Sequence, residues 1–261
     1  MKITSKYPQR IQQLLQDKRM VEIHIGRSNS QVYKILNGAS GMYLKTQAVS
    51  ERFSFAHEVQ VLRWLDKKLP VPEVIEYVID SGREYLLLTE ISGENCVEAM
   101  GILEHKEIVF LLAKGLRVMH SVDISACPFD ERIDKKLKSA EYNVDNNLVN
   151  ESDFDEERLG IMTSKEILST LQNTRQPENN LVFAHGDYCL PNILIQDNKV
   201  NGFIDLDRAG VSDRYNDLAI ASRSIQYNLG GDYEQLFFEY YGVEDVDKEK
   251  IAYYRLMDEL F

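Results

Sequence analysis

The sequence predicts a two-lobed α+β fold, and three observations lead there. Over residues 21–46 apolar side chains alternate with polar ones around turn residues, the two-residue period of half-buried strands, and 74–79 and 85–89 read as further strands. Beyond Gly93 apolar side chains recur every three or four residues, the period of amphipathic helices. A chain of 261 residues with 44% hydrophobic content has enough apolar material for two lobes sharing a cleft. The division is expected at residues 1–91 and 92–261.

In chain order, Ile11, Leu14 and Leu15 suit a short amphipathic helix. Residues 21–46 read as strand, turn and strand again, with Gly26 to Ser30 as a polar turn whose backbone amides and Ser28 hydroxyl can cradle an anion. The strand Met42-Tyr43-Leu44-Lys45 precedes a helix marked by Phe55, Val59, Leu62 and Leu65, with Glu58 beside the apolar stripe. Pro70 and Pro72 stop that helix, since proline lacks an amide hydrogen and biases its predecessor towards extended backbone. Residues 74–79 and 85–89 read as two strands around Ser81-Gly82. Ile108, Leu111, Leu112, Leu116 and Met119 mark one helix face ending at His120, a capping or core histidine rather than a catalyst. A loop at Cys127-Pro128 leads to a helix over 133–148, then to an acidic run from Glu151 to Glu157. Thr163 and Glu166 form a capping box for a helix towards Leu171, and residues 213–217 open a helix bearing Arg223.

Composition excludes several classes. No apolar run approaches the roughly 20 residues of a membrane span, and the N-terminus has no signal-peptide pattern, so the protein is expected in the cytoplasm. Three cysteines, Cys96, Cys127 and Cys189, without a CxxC spacing give neither a disulfide framework nor a zinc site. A net charge of −12 argues against nucleic acid and is compatible with a polycationic ligand. Nothing in the sequence specifies an oligomeric state.

The densest chemistry lies in residues 184–218, AHGDYCLPNILIQDNKVNGFIDLDRAGVSDRYNDL. Asp187, Asn192 and Asp205 flank an apolar run and an Asp197-Asn198 pair that reads as a hairpin turn. A hairpin would return Asp205 beside Asn192, giving a carboxylate and an amide oxygen, the hard donors that Mg²⁺ accepts. Asp187, outside that pair, could take or orient the proton of an attacking hydroxyl. This set suits phosphoryl transfer, which needs positioning and charge neutralisation more than covalent help.

HGDYCLPN followed by FIDLDRAGVSDRYNDLA resembles the signature of aminoglycoside phosphotransferases, in particular the 3′-phosphotransferase group that inactivates kanamycin- and neomycin-type antibiotics. The likeness extends over VYKI, WLDKKLPVPEV and the ending MDELF. It implies a protein-kinase-like fold, with a small nucleotide-binding lobe and hinge followed by a larger catalytic and substrate-binding lobe. It also implies ATP and Mg²⁺ as cofactors and a small cationic aminoglycoside as substrate. In that arrangement Lys45 contacts phosphates and is steadied by Glu58. Ser28 lies over the phosphates, Tyr43 stacks on adenine, and the backbone from Thr89 to Ile91 meets the adenine edge. Asp187 is the catalytic base, Asn192 and Asp205 hold the metal, and Asp217 resembles the buried aspartate that braces the catalytic loop. Arg208 would stabilise developing charge or pair with an acid. Asp155, Glu157, Arg223, Asp258, Glu259 and Phe261 would form the amine-binding cradle. The acids that close the chain sit at the negative end of a helix, so a cationic ligand would relieve their repulsion. One departure is Asp207, where the family pattern has glycine.

Two other readings are carried: a kinase of the same fold for another small alcohol such as choline, homoserine or a macrolide sugar, and an inactive nucleotide-binding module. A neutral acceptor would give the terminal carboxylates no purpose. The presence together of Lys45, Asp187, Asn192 and Asp205 argues against an inactive module.

Overall fold

The computed structural model describes residues 7–23, 30–36, 41–50, 54–154 and 162–261. They form two compact units: Met1–Gly93 with Asn201–Asp207, and Glu94–Val200 with Arg208–Phe261.

In the first unit, α1 (Gln9–Leu15) precedes β1 (Arg19–Ile23), β2 (Gln31–Leu36) and β3 (Met42–Ala48). Helix α2 (Ala56–Leu65) then leads to β4 (Val74–Asp80) and β5 (Arg83–Thr89). The strands make one antiparallel sheet in the order β1-β2-β3-β5-β4. Alternation does what period two demands. Along β3, Met42, Leu44 and Thr46 are buried while Tyr43, Lys45 and Gln47 are half-buried on the other face. Leu44 joins Ile11, Leu15, Ile35 and Leu87 in a core that lies under α1. The β4–β5 turn places Ser81 and Gly82 at φ of 50° and 75°, the left-handed pair of a tight hairpin. Helix α2 buries Val59, Val61, Leu62 and Leu65. Its start is held from a distance, because the buried Glu84 of β5 accepts from Phe55 N at 2.8 Å and from the Ser54 hydroxyl at 2.6 Å. A carboxylate there satisfies a helix-end donor and complements the positive end of the dipole.

The second unit opens with β6 (Glu94–Asn95) and continues through α3 (His105–His120), α4 (Ile133–Asp145) and α5 (Ser164–Asn173). Strands β7 (Leu181–Ala184), β8 (Ile193–Gln196), β9 (Lys199–Phe203) and β10 (Gly210–Asp213) follow. Helices α6 (Tyr215–Leu229), α7 (Asp232–Tyr241) and α8 (Lys248–Asp258) complete the chain. Helix α3 buries Ile108, Leu111, Leu112, Leu116 and Met119, and packs on α7. Thr163 and Glu166 make the reciprocal capping box expected at the start of α5. The helix expected over 133–148 stops at Asp145, and Asn147 takes a φ of 53°. Strands β7 and β10 pair antiparallel, while β6, β8 and β9 form a three-stranded sheet. The Asp197-Asn198 turn has φ of 51° and 57°, the left-handed geometry of a two-residue hairpin. The end of β9 passes into the first unit and carries Asp205 with it. No described helix is long and apolar enough to cross a membrane.

Candidate active site

In the first unit, the half-buried face of β3 presents Lys45 to Glu58, one turn into α2. Lys45 Nζ donates to Glu58 Oε1 at 2.7 Å and Oε2 at 3.0 Å, and to Asp205 Oδ1 at 2.5 Å. The Lys45 and Glu58 side chains are 14% and 2% exposed, whereas Asp205 is 48% exposed. Burial opposes the Lys45 charge, but the Asp205 and Glu58 carboxylates outweigh it and hold the ammonium above its usual range. Burial pushes Glu58 upward, with Lys45 pulling against it. The lysine is therefore a fixed cation steadied by one acid and extended towards another. Asp205 itself adopts a φ of 58°, a left-handed conformation uncommon for a non-glycine residue and typical of functional positions held by their surroundings.

Tyr43, two residues before Lys45, shares its half-buried face. Lys34 Nζ sits 5.7 Å from the centre of its ring. In the segment after β5, Thr89 N donates to Glu73 O at 3.0 Å and Glu90 N to Gly41 O at 3.1 Å. Ile91 N has no such bond among the described residues, so it is the donor of this segment with capacity left. A Cβ on Gly202 would stand 2.6 Å from Ile91 Cδ1, so β9 packs closely on the Ile91 side chain as it passes this segment.

In the second unit, β7 delivers the chain to His185-Gly186-Asp187. Asp217, fully buried in the first turn of α6, accepts from His185 N at 2.7 Å and from Gly186 N at 2.9 Å. His120 Nε2 lies 3.0 Å from the same carboxylate. Burial opposes the Asp217 charge, yet His120 and these donors hold its carboxyl below the usual range. Gly186 has a φ of 86°, and a Cβ there would stand 2.0 Å from Arg208 O. The loop and the Arg208 segment thus meet backbone to backbone. Asp187 N lies 3.3 Å from His185 Nδ1, and Asn192 Nδ2 donates to Asp187 O and Oδ2, both at 3.0 Å. Two of these contacts hold the Asp187 backbone, and the third, from Asn192, directs its carboxylate.

The same unit gathers a charged cluster at the end of α8. Asp258 accepts from Arg208 Nη2 at 2.6 Å and from Arg223 Nη2, and Arg223 Nη1 donates to Glu259 at 3.0 Å. Burial works against the Asp258 charge, but the two guanidinium groups hold its carboxyl below the usual range. The Phe261 ring lies under two cations, with Arg208 Cζ at 5.1 Å and Lys136 Nζ at 5.8 Å from its centre. Leu260 O accepts from Asn143 Nδ2 at 2.6 Å, which anchors the segment. The repulsion expected among the last acids is thus already offset by Arg208 and Arg223.

A sequence model of the phosphotransferase enzyme family matches residues 19–256. An aminoglycoside 3′-phosphotransferase of Niallia circulans is 37% identical over 99% of this chain and 98% of its own length. One of Enterococcus faecalis is 36% identical over 96% and 97%. The crystal structure of a type VIII aminoglycoside-3′-phosphotransferase, at 28% identity, superposes with a TM-score of 0.85 and covers 97% of both chains. An aminoglycoside phosphotransferase from Streptomyces rimosus, solved with ADP and streptomycin, is 24% identical with a TM-score of 0.82 over 96% of this chain and 95% of that one. The chain belongs to the phosphotransferase enzyme family.

For this phosphotransferase, the structure brings Lys45, Glu58 and Asp205 together in one unit, and Asp187 with Asn192 in the other. Arg223, Asp258, Glu259 and Phe261 share one cluster. Ser28, Asp155 and Glu157 lie outside the described residues. Among the described residues no group of three His, Cys, Asp or Glu side chains forms a metal cluster. Burial raises the Cys189 thiol, with the Asp187 charge adding to it, so this cysteine in the loop that carries Asp187 is a poor nucleophile. Sequence reasoning missed Lys136, 3% exposed in the terminal cluster. The signal was present: Ile133, Lys136, Ala140 and Val144 fall on one buried helix face. A lysine in a KKLK run nonetheless reads as solvated.

Proposed function

We propose that this phosphotransferase moves the γ-phosphate of ATP to the 3′-hydroxyl of kanamycin- and neomycin-type aminoglycosides in the cytoplasm, and so confers resistance to them. The observation that carries the reading is the Asp187 carboxylate, aimed by Asn192 on a loop that Asp217 holds by two backbone amides.

In this scheme Asp187 receives the 3′-hydroxyl as a hydrogen-bond donor, aligns its oxygen on the phosphorus and accepts its proton as the new bond forms. Lys45, fixed in its charged form by Glu58, holds the phosphates. Tyr43 supplies a ring for adenine, and the backbone from Thr89 to Ile91 meets the base edge through the Ile91 amide. Ser28 lies over the phosphates.

Mg²⁺ suits the donors assigned to it. The Asn192 amide nitrogen is committed to Asp187, which turns its oxygen away as a neutral hard donor, and Asp205 is a half-exposed carboxylate. When bound, the ion would neutralise phosphate charge.

Arg208 fixes Asp258, and Arg223 fixes both Asp258 and Glu259, so these acids await substrate ammonium groups in a set geometry. Asp155 and Glu157 would add further carboxylates and Phe261 an apolar face. Each ammonium contact is a charge-assisted hydrogen bond.

A coupled ADP-release assay against kanamycin, neomycin, choline, homoserine and a macrolide tests the reading. Turnover with the amino sugars, and a phosphorylated 3′-carbon by NMR, is the expected result. Preference for another alcohol would overturn it. Asp187→Ala should abolish most turnover while ATP binding stays within a few-fold.

A further inference from the structure

Away from the cluster on α8, the second unit carries a hollow of about 400 Å³ where α3 ends and α6 begins. Its walls include Arg117, His120, Asn180, Arg214, Tyr241 and Gly242, and among the described residues no carboxylate lines it. In a chain of net charge −12, two guanidinium groups facing one concavity without an acid is an unusual concentration of positive potential.

Neither arginine forms an ion pair among the described residues. Arg117 is exposed in the last turn of α3. Arg214 is half-buried over the Tyr215 ring at 5.7 Å, and its Nε, shut off from solvent, has no hydrogen-bond partner among the described residues. Asp213, the acid next to Arg214, is used in accepting from Asn179 N, Asn180 N and Lys250 Nζ. Asp217 lies behind His120, bonded to it and to the catalytic loop. Asp245 and Asp247 line a neighbouring hollow that Arg214 and Asn180 also line, and Asp247 caps α8 by accepting from Lys250 N at 3.0 Å. Tyr241 adds a hydroxyl that lies 2.8 Å from His120 Nδ1 and is also a hydrogen-bond neighbour of the Arg214 guanidinium. Asn180 is fixed at the rim because its carbonyl accepts from Arg214 N at 2.9 Å.

We propose that this hollow binds a phosphate-class oxyanion, as inorganic phosphate or a small phosphate monoester, between the guanidinium groups of Arg117 and Arg214. Two planar forks match the several oxygens of a phosphate, and the Asn180 amide can add a donor. The volume exceeds a bare phosphate and leaves room for an ester group. Two cations on an otherwise acidic surface are too few for a nucleic-acid backbone.

The test is calorimetric titration with inorganic phosphate, and separately with glycerol 3-phosphate. Ionic strength is held constant with chloride, and excess Mg·ADP occupies competing phosphate sites. Saturable binding of one anion per chain is expected, weakened about ten-fold or more by Arg117→Gln, as befits loss of one charge-assisted contact. Asn180→Asp, which removes no cation but places a carboxylate at the rim, should weaken it similarly. Both variants should keep the wild-type melting temperature and ADP-release rate. Binding of either anion supports the site, and the arm that binds more tightly identifies its carrier. No saturable binding of either, or unchanged affinity in both variants, overturns it.

Discussion

Lys136 lies in register with the apolar residues of α4 and only 3% of it is exposed. Burial pushes its ammonium down to about 8 from an ordinary value of 10.5, and Arg208 adds to the push, while Glu131 and Asp258 resist. Below pH 8 both folded and unfolded chains are protonated and the fold bears the whole cost. Between about 8 and 10.5 the unfolded chain holds more protons, so stability from this group rises with pH. The cost at neutral pH is on the order of 3 kcal/mol. Lys136→Met should therefore be more stable than wild type in urea at pH 7 by about that much, with the gap closing towards pH 10.5. A gap independent of pH would mean that the ammonium carries no penalty. Asp217 has the opposite sign. Its depressed carboxyl contributes stability that is present above the ordinary carboxylate range and lost as pH falls through the folded value. Asp217→Ala leaves two buried amides unsatisfied, and should cost about 3–5 kcal/mol with loss of turnover. Thermal unfolding of the variant against wild type from pH 7 to pH 3 should show the difference shrinking.

Among the elements, the Asp197-Asn198 turn was readable because few residue pairs accept two consecutive left-handed conformations. Asn198→Gly lowers the strain at the second position and should raise stability by about 0.5 kcal/mol, or about 1–2 °C in a melting scan. A fall in melting temperature would mean that the Asn198 side chain makes a contact worth more than that strain. The capping box of α5 was readable for a similar reason, since both partners lie within four residues. The start of α2 was not, because its carboxylate, Glu84, arrives from a strand 29 residues on. The same distinction divides the candidate site. Periodicity puts Lys45 on a strand and Glu58 on the helix after it, and the family resemblance pairs them. That Arg208 and Arg223 converge on Asp258 was not readable, because the partners are 50 and 35 residues apart and no local pattern links them.

Across the whole molecule, the chain passes between the two units at residues 93, 200 and 207, so Asn192 belongs to the second unit and Asp205 to the first. Net charge acts at this scale too. At −12 the protein attracts a polycation over a distance set by the Debye length, about 10 Å at 0.1 M salt. Raising sodium chloride from about 0.05 to 0.5 M should increase KM for kanamycin several-fold and leave kcat nearly unchanged. A salt-independent KM would locate recognition in short-range contacts alone.

Gly186, pressed against the Arg208 carbonyl with no room for a Cβ, constrains more than the shape of a loop. Every missense change at its codon adds a side chain, so no single nucleotide substitution offers a tolerated alternative. Libraries selected for growth on new antibiotics should return this codon changed only synonymously, while the codons of exposed neighbours drift.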